Sequence, residues 1–551
     1  MRWLNWVSCD KRLKLIWCAI IVVALGALAV RAPRLRMRPM HTDEAVHADK
    51  FHMLLEDGVY EYDPNEFHGP TLNYFTLIPA RLSGVSQYAR ITEVTLRIVP
   101  VVFGVALILL TVLLADRLGL AAVLAAVLTA LSPAMVFYSR YYIQEMLLVC
   151  FTFGAIVAGY RYVRARSVAW AIVTGLFVGL MHATKETAII AFGAMGLALV
   201  LVVLMSLGQG RSLRRVLAGI KPLHIALGLA AAVGVSILFY SSFFSHPKGI
   251  LDSYLTYATY LGRAGGQSTW HIQPWHYYLR MLLFAQYGNG PIWTEGWIVL
   301  LALVGLAAAV KGTPVGSVDP KLVRFIAIYT VAMTVVYSAI PYKTPWCLLS
   351  FLHGMILLAG VGAMALFAWA RKPVMQAAWV VLLIVAVAHL ACQVYRANFV
   401  YYADSRNPYV YAHPTEEIFV AVEKVREYID PNGLGYSEEM PIQVAVPGRD
   451  YWPLPWYLRD LPAVAWHSTV PEQIGPLILI SDTLEGALAH KLYDQTPPEK
   501  RRMYMYLFDE PYYVWARPKV KLLGFVRKDL WEQHYYQQSD PSELLEGKHG
   551  E

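Results

Sequence analysis

The feature that most limits what this chain can become is a succession of apolar runs. Each is about twenty residues long, the length an α-helix needs to cross the hydrocarbon core of a bilayer. They lie near 13–31, 91–115, 118–137, 143–162, 168–182, 187–207, 223–244, 292–310, 322–340, 346–369 and 376–396. Only 16% of the 551 residues are charged, whereas an ordinary soluble domain carries about 25%. Lipid leaves every backbone N–H and C=O to be satisfied within its own segment. The pattern therefore predicts a polytopic α-helical membrane protein with about eleven transmembrane helices. The first run follows Lys11, Arg12 and Lys14; with so many runs behind it, it reads as an uncleaved anchor rather than a signal peptide.

Cationic loops resist transfer across a membrane, so they report sidedness. The N-terminus, 160–167, 211–221, 311–324 and 371–373 are rich in Lys and Arg and fall on one side, which the rule makes cytoplasmic. The long first loop 32–90, then 138–145, 182–186, 245–291 and 341–346, fall outside, as does everything after Tyr401. "RAPRLRMR" (31–38) places four arginines in an outside loop; that loop is long, and long loops obey the rule least. The net charge of +8 is spread over these short loops rather than gathered in one patch, which argues for topology and against nucleic-acid binding. Cys9, Cys18, Cys150, Cys347 and Cys392 form no CxxC pair, so neither a zinc ribbon nor a disulfide framework is indicated.

Two domains are expected: 1–400, transmembrane, with the first outside loop 32–90, and 401–551, extracytoplasmic. In the second, "IQVAVPG" (442–448) and "LILISD" (477–482) alternate with helical patterns at 415–429 and 484–494, which predicts a small mixed α/β domain.

Titratable groups gather on the outside loops. "HTDEAVHADKFH" (41–52) predicts an amphipathic helix lying on the membrane surface, with Thr42 as its N-cap, Ala45, Ala48, Phe51 and Leu54 on the apolar face and Asp43, His47 and Lys50 on another. Asp43 and Glu44 in the first turn would suit the helix dipole whatever else they do. His41, Asp43 and His47 also have spacing a metal could use, although histidines in a wet loop are usually only solvated. His68 precedes Gly69 and Pro70, which can open a helix. Arg140 lies between two spans, and Glu145, one turn into the next, needs a partner or a task; an Arg140–Glu145 salt bridge is the plain alternative. Lys185 and Lys343 stand as solitary cations in short outside turns, Lys343 beside Tyr342 and Trp346. An acid that can take a proton, on one wet face with cations that can hold an anion, suits transfer of a sugar from a lipid phosphate. The carboxylate deprotonates the incoming hydroxyl and the cations stabilise the departing phosphate.

In order along the chain stand "DEA" (43–45), "HGP" (68–70), "LRIVPVVFG" (96–104), "SRYYIQE" (139–145), "TKE" (184–186) and "YKTPW" (342–346). With that order, residues 10–400 resemble the GT-C membrane glycosyltransferases of the protein O-mannosyltransferase and aminoarabinose-transferase type, and are similar to the flippase-associated archaeal and bacterial subgroup. The resemblance implies a polyprenyl-phosphate-linked sugar as donor and a protein, glycan or lipid acceptor. It implies Asp43, with Glu44 beside it, as catalytic base, and Arg140, Lys185 and Lys343 as the donor-phosphate cations; His68, at the position of the family's turn, together with Glu145 and Tyr342, is expected to contact substrate. Gly69 replaces the first proline of the family's His-Pro-Pro turn, and Glu186 follows Lys185 where many relatives have glycine. The DxD and WWD pairs of metal-using relatives are absent from the sequence, so no cofactor and no metal are expected. Two alternatives stay open: a component of a lipid-linked oligosaccharide flippase or transporter, and a non-catalytic partner protein with this fold.

Overall fold

The computed structural model describes residues 11–65, 68–210, 212–214, 218–264, 271–312, 315–429, 442–461 and 463–538. Cys9 and part of the basic loop 211–221 lie outside the described residues. Among these, eight helical stretches are long and apolar enough to cross a membrane: Lys11–Arg31 (α1), Glu93–Leu118, Glu145–Ala165, Ala188–Gly208, Pro222–Tyr240, Pro320–Ala339, Pro345–Trp369 and Pro373–Val400. Val168–His182 and Gly296–Lys311 are apolar but shorter, and Leu120–Leu131 meets Pro133–Ser139 at 60°. Each predicted run is thus helical, but three fall short of a straight, full-length span. The bend has a local cause. Pro133 has no N–H to continue the preceding ladder, and Ser132, in extended conformation, starts the new helix by accepting the Met135 N–H on its side chain.

Two compact units divide the chain: Met1–Leu35, Lys50–Ser86 and Ile91–Tyr411 form one, and Arg36–Asp49, Gln87–Arg90 and Ala412–Glu551 the other. In the first, helices approach closely through small residues, the usual solution where lipid removes the hydrophobic drive between helices. A Cβ on Gly305 would sit 2.0 Å from the Leu358 carbonyl oxygen, and one on Gly362 would sit 2.0 Å from that of Leu301. Arginines tie the helix ends. Arg31, at the last residue of α1, is fully buried and donates to the carbonyls of Thr129 (2.8 Å) and Ala130 (3.0 Å). Part of the positive charge that breaks the sidedness rule therefore serves as a helix cap.

One element of the first unit was expected to be loop. Lys248–Ala264 is a helix whose polar Asp252, Ser253 and Thr256 are buried while Leu251, Tyr254, Leu255 and Leu261 are exposed. Apolar side chains facing outward over a buried polar face are the arrangement of a helix lying in a lipid interface.

The second unit is a mixed α/β fold, as its sequence predicts. Its six strands are β1 (Ile442–Ala445), β2 (Val464–His467), β3 (Leu477–Ser481), β4 (Tyr504–Tyr506), β5 (Tyr513–Arg517) and β6 (Val520–Arg527). They form one sheet in the order β2-β1-β3-β6-β4, with β5 also on β6. β1 runs parallel to both neighbours, and β3, β4 and β5 run antiparallel to β6. Ala445, Ile478, Ile480, Leu488 and Leu523 make its core.

Candidate active site

His68 is held by a residue the sequence offered only as a departure. Its Nδ1 lies 2.8 Å from Glu186 Oε2 and 2.8 Å from the Tyr260 hydroxyl, while Tyr62 donates to Glu186 Oε1 at 3.0 Å. An ionised carboxylate only accepts, so Nδ1 carries the proton. Glu186 sits in the turn between Val168–His182 and Ala188–Gly208, almost wholly buried. Burial alone would raise its pKa, but His68 beside it, then Lys185, bring it below the usual carboxylate value. Since the folded value lies below the unfolded one, the pair contributes stability that is complete above the unfolded carboxylate range near 4.3. That contribution is lost as pH falls through the depressed folded value. Thermal unfolding of wild type and Glu186→Gln should therefore differ above the carboxylate range and converge as pH falls through it. A gap that widened on acidification would contradict the pairing.

Gly69 has its own reason. A Cβ there would lie 2.3 Å from the Ala183 carbonyl oxygen, which also accepts the Thr71 N–H at 3.3 Å. The proline of related turns would not fit against this backbone. We expect Gly69→Ala to lose about 1–3 kcal/mol through overpacking, read as a lowered unfolding temperature; an unchanged one would mean the turn yields freely.

Lys185 and Glu145 form a buried ion pair, with side chains 6% and 3% exposed. Burial pushes the Lys185 ammonium pKa down, but Glu145, followed by Cys347 and Glu186, more than reverses this and holds it above the ordinary lysine value. The partner of Glu145 is thus a cation forty positions away in sequence. Arg140 is engaged elsewhere: its guanidinium donates to the carbonyls of Arg31 (2.7 Å), Val30 (3.3 Å) and Arg34 (3.4 Å) at the end of α1 and lies over the Phe399 ring. A guanidinium on the last carbonyls of a helix complements its negative end.

Lys343 and Tyr342 belong to a short antiparallel bridge. The Lys343 N–H donates to His271 O at 2.9 Å, the Gln273 N–H to Pro341 O at 3.1 Å, and Ile272 pairs with Tyr342. The Lys343 ammonium donates to the carbonyls of Gln273 (3.2 Å) and Ile340, and burial lowers its pKa. The His271 ring meets Tyr342 and bonds the Tyr411 hydroxyl.

Asp43 and Glu44 lie in the second unit, in the first turn of Thr42–Glu56 (α2). The helix begins one residue earlier than a Thr42 cap implies. His41, not Thr42, is the cap: its Nδ1 accepts the Asp43 N–H at 3.0 Å, and its own N–H donates to Glu44 Oε2 at 3.1 Å. This reciprocal pair is the capping-box arrangement. The Thr42 hydroxyl instead accepts from Arg517 at 3.1 Å. Glu44 is fully buried and also faces Arg38 at 3.6 Å, whereas the Asp43 side chain is 44% exposed. The adjacent carboxylates therefore differ in kind: one builds the turn and the other remains open to solvent. Ala45, Ala48, Phe51 and Leu54 are buried as predicted, but so are His41, His47 and Lys50. This corrects the expectation of a wet polar face for His47 and Lys50 and of solvated histidines there; Asp43 is open to solvent, and of the three histidines only His52, paired with Glu56 at 3.0 Å, is exposed.

The structure thus brings Glu145, Lys185 and Glu186 together as buried neighbours, with the half-buried His68 bonded to Glu186. It sets Lys343 and Tyr342 in the loop that leads into Pro345–Trp369, and it places Arg140 on the end of α1. Sequence reasoning missed Tyr62, Tyr260 and the anchoring role of Glu186. An acid in a tight turn, following a lysine, was the one signal available.

Comparisons bear on what such a group serves. Residues 45–246 match the family model described as dolichyl-phosphate-mannose-protein mannosyltransferase; this segment includes His68, Arg140, Glu145, Lys185 and Glu186. The fold is similar to that of ArnT from Cupriavidus metallidurans in the apo state, with a TM-score of 0.58 and 15% identity, over 91% of this chain and 97% of that one. The undecaprenyl phosphate-bound form of ArnT gives 0.56 and 16% over the same shares. The oligosaccharyltransferase of Archaeoglobus fulgidus in its apo form gives 0.49 and 14%, over 82% and 64%. No curated protein matches the sequence.

Proposed function

We propose that this chain, a membrane glycosyltransferase of the GT-C superfamily, moves a sugar from a polyprenyl-phosphate donor to an acceptor hydroxyl on the extracytoplasmic side. The Asp43 carboxylate takes the proton of the acceptor hydroxyl as its oxygen attacks the anomeric carbon. The bond from that carbon to the phosphate oxygen breaks, and the phosphate leaves with the electron pair. One displacement inverts the anomeric centre. Arg140, Lys185 and Lys343 stabilise the charge that grows on the phosphate. Glu44 fixes the helix turn that presents Asp43, and His68, Glu145 and Tyr342 orient the substrates. The N-terminus is cytoplasmic, and residues 401–551 are extracytoplasmic.

The observation that carries this reading is the buried Glu145–Lys185 pair joined in sequence to Glu186–His68. Buried ionisable groups at the ends of membrane spans are costly and are retained for a task. The likeness to a protein solved with undecaprenyl phosphate adds the donor class. The choice of Asp43 over Glu44 is supported by their surroundings, since Glu44 already accepts from the His41 N–H and faces Arg38.

The test is transfer by the purified full chain in proteoliposomes, supplied with undecaprenyl phosphate carrying a radiolabelled sugar and a cell-envelope extract as acceptor. Label should move to the acceptor with stoichiometric release of undecaprenyl phosphate. Movement of intact donor between leaflets without release would favour the flippase alternative, and neither outcome with any donor would favour a non-catalytic partner.

A further inference from the structure

A cavity of about 340 Å³ opens in the first unit beside the Lys343 loop, and none of the residues assigned above lines it. Its walls carry the Arg280 guanidinium, the His276 imidazole, the phenols of Tyr277, Tyr287 and Tyr411, and Gln273. No carboxylate is among the lining residues. The nearby Asp404 is neutralised by Arg406, which donates to it at 2.6 Å. Among the described residues Arg280 has no carboxylate within ion-pair distance, and its charge reaches Tyr287. The chemistry is specific: a fixed planar cation that suits phosphate or carboxylate, an imidazole N–H that can donate beside it, and aromatic faces with hydroxyls at their edges, which suit a sugar ring.

The source of the lining decides which substrate it suits. Every lining residue comes from 273–287 or 405–411, segments outside the membrane-spanning stretches; Tyr277 and Arg280 lie on the short helix Tyr277–Leu283. A polyprenyl donor must keep its tail in lipid, and the buried Glu145–Lys185 pair stands at the ends of apolar stretches, Glu145 opening Glu145–Ala165 and Lys185 preceding Ala188–Gly208. A cavity walled only by extramembrane segments takes a headgroup from the aqueous side. Gln273 connects the two regions, because its carbonyl lines up with the Lys343 ammonium at 3.2 Å.

We propose that this cavity binds the acceptor, and that the acceptor is a saccharide bearing an anionic group, phosphate or carboxylate, held by Arg280 and His276. This rests on the transferase reading above. The test uses the full chain in nanodiscs and calorimetric titration with glucose 6-phosphate, glucuronic acid, glucose and inorganic phosphate. At least one anionic sugar should bind more tightly than either glucose or phosphate alone, the better of the two identifying the anion. Arg280→Gln should weaken it at least tenfold, Arg280→Lys less, and saturating undecaprenyl phosphate should leave it in place. Equal binding of glucose, equal binding to Arg280→Gln, or displacement by undecaprenyl phosphate would overturn the proposal. Undecaprenyl phosphate binding measured on the same Arg280→Gln sample separates a misfolded variant from an empty site. If the anionic sugar binds as described but no label ever leaves the donor, the transferase reading fails while the site stands.

Discussion

Lys185→Met is expected to lower stability by about 3–5 kcal/mol, the cost of leaving a buried charge without its partner, and to abolish sugar transfer. Glu145 has its side chain 3% exposed and has Lys185 as its ion-pair partner. Removing the ammonium leaves that carboxylate either ionised in a poorly solvating site or protonated at a cost. The double variant Lys185→Met/Glu145→Leu removes both charges, and buried pairs replaced by apolar residues of similar volume are often neutral in stability. A double-mutant cycle should thus show a coupling of at least about 2–3 kcal/mol, with most of the lost stability recovered in the double variant. Transfer should not recover, because the phosphate has lost its cation. Recovery of both would make Lys185 a structural residue only. Stability can be read from unfolding in detergent, and transfer from release of undecaprenyl phosphate.

Asp43→Asn is expected to reduce kcat by about 10²–10⁴-fold, the usual contribution of a general base, with little change in donor KM. The substitution keeps the volume and leaves the His41 cap intact, since that cap uses the backbone N–H of Asp43 and the carboxylate of Glu44. Glu44→Gln should behave differently. It weakens the contacts with the His41 N–H and Arg38, so its effect should appear mainly as lost stability, by about 1 kcal/mol for a helix cap. A pattern in which Glu44→Gln stops transfer while Asp43→Asn does not would exchange the two roles.

Membrane crossing was legible because it depends on local composition alone. Any run of about twenty apolar residues has few alternatives in water or lipid, and each predicted run is helical here. The break at Ser132–Pro133 was visible as two residues but not as an angle, since hydropathy does not register a missing N–H. The helix Lys248–Ala264 was hidden for a related reason: its polar residues face inward and its apolar ones outward, so its mixed composition resembled a loop. The site was legible by residue type and less so by partnership. Glu145 was expected to need a partner, and found it in Lys185 rather than in Arg140, five residues away. Arg140 is drawn to the end of α1, more than a hundred positions back in sequence. Such pairings are set by how spans pack, and no local pattern encodes them. Glu186 shows the converse, a departure from a family pattern explained by the imidazole it holds.

The account rests most directly on Asp43 as the base of a transfer reaction. The decisive measurement is single-turnover release of undecaprenyl phosphate from its sugar-loaded form by wild type and Asp43→Asn in the same proteoliposomes. Donor binding is checked beforehand by the shift in unfolding temperature that undecaprenyl phosphate produces. The account predicts acceptor-dependent release by wild type and equal donor binding by the variant, with release slowed by at least about 10²-fold. Release by Asp43→Asn at the wild-type rate would contradict it.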